Sequence, residues 1–171
     1  MASSEFSGNA PDRTVDHGRR TNPMGAYVAT AGVVIFTISV FLDWIALKDQ
    51  DDTARSGYET DPVIPFAAYL GIGLVVALFY ALSRARGKQH RGLTLTTMAA
   101  GIAVVLLALS YMFDAPGALD SELEFQTEFG TWIALLGGIV WSVGAGLLAK
   151  EPEGDDDWND THAVAGTRRG H

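Results

Sequence analysis

GAYVATAGVVIFTISVFLDWIAL, residues 25–47, is a run of 23 with one ionisable side chain, Asp43. As a helix rising about 1.5 Å per residue, it is long enough to cross a hydrocarbon core of about 30 Å. Three further runs, 65–83, 93–113 and 129–149, contain no Asp, Glu, Lys, Arg or His. Backbone in lipid must satisfy its own hydrogen bonds, and barrel strands would alternate in polarity over about ten residues, which these runs do not. The sequence therefore predicts an all-α membrane protein whose transmembrane domain, 25–149, is an up–down–up–down bundle of four helices joined by short connections. The polar tails, 1–24 and 150–171, lack the apolar content to offset ordering entropy and are expected to be disordered.

The whole chain has 171 residues, 48% of them hydrophobic, and a mean hydropathy of +0.16. That composition excludes a soluble enzyme domain, a nucleic-acid binder and a fully disordered chain. With no cysteine, a disulfide framework, a Cys-ligated metal and a thiol nucleophile are excluded as well. A secretory signal would have a short basic head, an apolar stretch of about 7–15 residues and a small-residue cleavage site. The first run is longer and is followed by DWIALKDQDD, so it is expected to remain in the mature protein.

Lysine and arginine set the orientation. Ten of the 12 fall in the N-terminal tail, the second connection and the C-terminal tail, among them Arg19, Arg20, Arg84, Arg86, Lys88 and Arg91. Positive segments stay in the cytoplasm, which predicts a multi-pass plasma-membrane protein with both termini inside. The two outer connections are acidic: Asp49, Asp51, Asp52, Glu59 and Asp61 in the first, Asp114, Asp120, Glu122, Glu124 and Glu128 in the other. Trp44, Tyr111 and Trp132, with Phe113 and Phe129, fall at the outer ends of the spans, where an aromatic belt is expected at headgroup level.

Span four carries the plainest packing signal. Gly130, Ala134, Gly138, Ser142 and Gly146 recur every fourth residue and form one shallow groove, the kind of face that lets helix backbones approach in lipid. Shorter rows are Gly25/Ala29, Ala67/Gly71 and Ala99/Ala103. The groove serves either the chain's own bundle or docking with itself or a partner.

Candidate chemistry is sparse. Asp43, one turn from the outer end of its span, and Asp114 at a similar depth are candidate intramembrane carboxylates able to share a proton or cation. DQDDTARSGYETD, 49–61, departs from a calcium loop at Ala54 and Thr60, where the turn glycine and the bidentate glutamate belong, and reads as a solvated loop. Gly71–Gly73 begins a dinucleotide-like GIG, but inside a span. All four histidines lie outside the spans, against haem ligation. No metal, cofactor or catalytic grouping is expected. Trp158 among acids resembles a short docking peptide. The alternation of Leu123, Phe125, Thr127 and Phe129 predicts an extended segment against the first outer connection.

FLDW closing span one, SGYETDP before span two, a short basic inner loop and a glycine-rich last span together resemble small four-span membrane proteins of high-GC, actinobacterial type, mostly of unassigned function. The layout is also similar to claudin-like proteins, but the paired loop cysteines and the W-GLW-type signature are absent, so adhesion is not carried over. The expectation is an accessory, assembly or scaffolding subunit. It would act by helix–helix docking through span four, with the tails as secondary contacts, with membrane lipids and another membrane protein or a second copy as partners, and no nucleic acid. The alternative is a small proton or cation transporter or channel using Asp43 and Asp114.

Overall fold

A computed structural model describes residues 22–48, 50–84, 91–113 and 125–150. In chain order the elements are α1 (Met24–Ser39), β1 (Asp43–Leu47), β2 (Gln50–Ser56), the single turn α2 (Gly57–Thr60), α3 (Val63–Arg84), α4 (Arg91–Phe113), β3 (Phe125–Thr127) and α5 (Phe129–Ala149). The protein is mostly helical. Three helices, α3, α4 and α5, are long and apolar enough to cross a membrane, and α1 is apolar but shorter.

The four long helices form a ring in which α5 lies between α1 and α4, and α3 closes the circuit against α1 and α4. On α5, Gly144 lies against Ala29 and Gly137 against Phe36, so α1 and α5 run antiparallel. Gly138 beside Val104 and Val105, and Gly146 beside Met98, give α4 and α5 the same relation. The α1–α5 seam is backbone on backbone. A Cβ on Gly32 would collide with the Trp141 amide, and one on Gly144 with the Ala29 amide. Glycine is required at both positions by close approach, which is how helices gain contact where lipid offers no hydrophobic drive.

A three-stranded antiparallel sheet of order β2-β1-β3 covers one end of this ring. β3 pairs with β1 in the register Ile45↔Thr127, Ala46↔Gln126 and Leu47↔Phe125, so an extended segment is present, but only over Phe125–Thr127 and against the end of the first apolar run rather than the first outer connection, and Phe129 already belongs to α5. Trp44 and Ala46 point inward from β1 and are buried, while Asp43 is exposed.

Here the first run departs from its reading. Residues 25–47 are not one helix: α1 stops at Ser39 after 16 residues, about 24 Å. The cause is a set of competing partners for its last carbonyls. The Trp44 indole Nε1 donates to the Ser39 carbonyl at 2.7 Å. The Tyr58 amide donates to the Val40 carbonyl at 2.9 Å and the Gly57 amide to the Leu42 carbonyl at 3.1 Å. The carbonyls a helix leaves orphaned are thus satisfied from the cap. Non-helical backbone at such depth is tolerated where protein covers it. The apolar VFLDWIAL is therefore cap core rather than a lipid-spanning segment. Likewise, the stretch read as a solvated loop contributes β2 and α2.

α3 begins where sequence rules place it. The Asp61 Oδ1 accepts the Val63 amide at 2.8 Å, and prolines at 62 and 65 fall where no intrahelical N–H is needed. The expected spans 65–83, 93–113 and 129–149 match α3, α4 and α5 to within two residues.

Candidate functional site

Two regions concentrate the sequence-marked residues: the capped end of the ring, and the small-residue faces of α5 and α4.

At the capped end Trp44 is the keystone, with none of its surface exposed. Its carbonyl accepts from the Glu128 amide at 2.8 Å and from the Thr131 hydroxyl at 2.9 Å. Its ring meets Tyr111 edge-on at 5.5 Å and Phe36 at 6.4 Å between centroids. Gly57 and Gly130 press on the indole, where a Cβ would come within 2.6 and 2.8 Å of it. One residue thereby ties the end of α1, the sheet, α2, α4 and α5. Tyr111 adds a second tie, because its hydroxyl donates to the Asp61 Oδ2 at 3.1 Å. Asp61 thus caps α3 with one oxygen and holds α4 with the other. Charge-assisted bonds of this kind are the stronger class.

These positions correct the expected roles. Trp44 and Tyr111 are buried, so their indole and phenol are consumed in packing the cap rather than presented outward as a belt. Trp132, Phe113 and Phe129 are exposed, as a belt requires. Asp43 is not part of a helix. It is exposed at the start of β1, opposite Ser56, and its carbonyl lies against Gly130. Asp114, which was to pair with it, falls outside the described residues. So do Arg19, Arg20, Arg86, Lys88 and both tails, whose expected disorder is therefore not addressed. Arg84 closes α3 and Arg91 opens α4, at the ends away from the sheet.

The span-four row divides. Gly130 meets the cap, and Ala134 is buried in the core. Gly138 and Ser142 pack on α4, the latter against Gly101, and Gly146 looks toward Met98. The face turned to α1 is a different set, Gly137 and Gly144, which meets Gly32 and Ala29. Within the described residues the groove is filled by the chain's own helices.

α4 carries small residues on both its inward and its outward side. Inward it presents Thr94, Thr97, Gly101 and Ala108, all buried. Outward it presents Gly92, Thr96, Ala99, Ala103 and Ser110, interrupted by Leu106 and flanked by Leu95, Ile102 and Phe113, all exposed, with no atom within 4 Å of a Cβ placed on Gly92. The outward face of α3 is bulkier, with Phe66, Tyr69, Leu70, Ile72, Val76 and Tyr80 exposed and Gly73 the one small gap among them. The Ala67/Gly71 row turns inward, with Gly71 against the Trp141 ring.

Comparison with protein-family models, curated proteins and solved structures returned no match. Among the described residues no group of three or more His, Cys, Asp or Glu is placed to hold a metal ion. Two further cap carboxylates have local partners: Glu59 accepts from Ser56 at 3.3 Å and Glu128 from Gln126 at 3.1 Å.

Sequence reasoning missed Asp61, Thr131 and Trp141. Asp61 was legible in principle, because Asp-Pro ahead of an apolar run is a helix-start signature. Trp141 carried a weaker signal, a tryptophan at mid-span where the aromatic belt does not reach. Nothing local marks Thr131, whose partner Trp44 is 87 residues away.

Proposed function

We propose that this chain is an integral membrane accessory or scaffolding subunit of the plasma membrane. Its four helices cross the bilayer, both termini are cytoplasmic, and α4 docks a helix of another membrane protein. The observation that carries this reading is the outward face of α4. In lipid a bulky aliphatic or aromatic surface is at home, whereas a stripe of Gly, Ala, Ser and Thr gains most from the close approach of a second helix. The inward small face of α4 is already used by α5, so the outward one is left for a neighbour.

The placement of Asp43 supports this role over transport. A transporter brings polar groups or broken helices to mid-membrane, and the carboxylate expected to serve that purpose stands exposed on the cap. α1, although short, reaches the outer headgroup level because the cap completes its length and satisfies its carbonyls.

Purification in mild detergent tests the proposal. Wild type should recover a defined membrane-protein partner, and Ala99→Leu with Ala103→Leu should lose it while remaining folded. Equal recovery from wild type and the double variant would overturn the docking face. Cation flux in proteoliposomes that is abolished by Asp43→Asn would restore transport instead.

A further inference from the structure

Phe41 follows α1, Tyr58 lies in α2 and Tyr69 in α3, and the three meet on one outward spot beside the cap. The Phe41 and Tyr58 rings stack at 6.3 Å between centroids, 12° from parallel. The Tyr58 hydroxyl lies within hydrogen-bonding reach of the Tyr69 hydroxyl. All three residues are more than half exposed, at 68%, 52% and 61%. Their backbone is nevertheless fixed: the Tyr58 amide donates to the Val40 carbonyl at 2.9 Å and the Phe41 amide to the Ile38 carbonyl at 3.1 Å. The fold positions this cluster without packing it away.

The surface differs on its two sides. Toward the helices the exposed residues are apolar, with Val34 and Ile38 on α1 and Leu70 and Val76 on α3. Toward the cap they are charged, with Asp43 and Arg55 on the strands and Glu59 beside Tyr58. The cluster marks the boundary between the two. Helix length places it at the same level. α1 ends just short of Phe41 after 16 residues, a rise of about 24 Å. On α3 a side chain leans toward the helix start, which lifts the Tyr69 hydroxyl toward the cap. A ring with an apolar body and a hydroxyl tip is most at home where lipid tails give way to glycerol esters and headgroups.

Two neighbouring phenols carry two O–H donors. When one donates to the other, the second is left for a group outside the protein. Glu59 directly follows Tyr58, so a phosphate would meet a like charge, and a neutral oxygen suits the site better. Resting on the reading that these helices cross a bilayer, we infer that the Tyr58–Tyr69 pair binds the glycerol ester carbonyl of a phospholipid in the cap-side leaflet, with the Phe41 ring against the first methylenes of its acyl chain. That bond pins the capped end of α1, the shortest of the four long helices, at the leaflet surface.

The test compares the full chain in nanodiscs of ester-linked phosphatidylcholine with the ether-linked lipid of equal chain length, which lacks the carbonyl. Wild type should melt about 2–4 °C higher in the ester lipid, the shift one hydrogen bond gives in a chain of this size. Tyr58→Phe with Tyr69→Phe keeps both rings and should close that gap. The same gap in the double variant, or none in wild type, would overturn the site. Cross-relaxation gives a second readout. The Tyr69 ring protons should reach the lipid glycerol protons, and contact only with terminal acyl protons, or with no lipid at all, would equally overturn it. The Val76 methyls should reach acyl-chain protons; their failure to do so would remove the bilayer crossing itself, which the tyrosine readouts alone would not.

Discussion

The small residues of α5 and those on the outward side of α4 look alike in sequence and do different jobs. On α5 each glycine is spent inside the chain: Gly137 and Gly144 let α1 approach, and Gly138 admits Val104 and Val105. On α4 the small residues from Gly92 to Ala103, with Ser110 beyond an exposed Leu106, face away from the ring. The outward face of α3, with Phe66, Tyr69 and Tyr80 exposed, shows what a surface adapted to lipid looks like in the same molecule. A small-residue row therefore identifies a place where helices meet, and only the fold says whether the neighbour is internal.

Substitution should separate the two rows. The largest effect is expected at the α1–α5 seam, where Gly144→Leu drives a side chain into the Ala29 backbone. Backbone cannot yield as a flexible side chain can, so no folded, monodisperse protein should be recovered on size-exclusion chromatography. Gly138→Leu meets the Val104 and Val105 side chains, which can shift, and the Val105 amide nitrogen, each at 3.0 Å, so a smaller loss, of about 3 kcal/mol, is expected in detergent denaturation.

A smaller effect belongs to the cap. Tyr111→Phe removes the bond to Asp61 but keeps the ring against Trp44. It should cost about 1.5 kcal/mol, near the upper end for a hydrogen bond in a membrane protein, because the acceptor is a carboxylate. The smallest effect on stability is expected on the open row, where Ala103→Leu should change unfolding by no more than about 0.5 kcal/mol while partner recovery falls. A substantial loss of stability at Ala103 would mean that its face is not open.

The contrast also shows what the sequence could carry. α3, α4 and α5 were legible because an uninterrupted apolar run of this length has few other uses. The β3 segment was legible through its alternation. The end of α1 was not, because hydropathy counts apolar side chains without saying what covers them. Phe41 remains exposed, while Val40, Trp44 and Ala46 are buried beneath or within the cap, and a window average treats them alike. Asp43 was misplaced for the same reason, four residues beyond the last helical residue. The docking stripe was visible in outline as Ala99/Ala103. Its outward direction depends on where α5 and α3 lie, which no local pattern encodes.

The most direct test uses the absence of native cysteine. Single cysteines at Ala103, Leu70 and Gly146, each carrying a short photoreactive probe, are irradiated in native membranes. An adduct to a discrete membrane protein or to a second copy from position 103, and none from positions 70 or 146, is the predicted result. No adduct at 103, or the same adduct from 70, would contradict the claim that α4 carries the docking face.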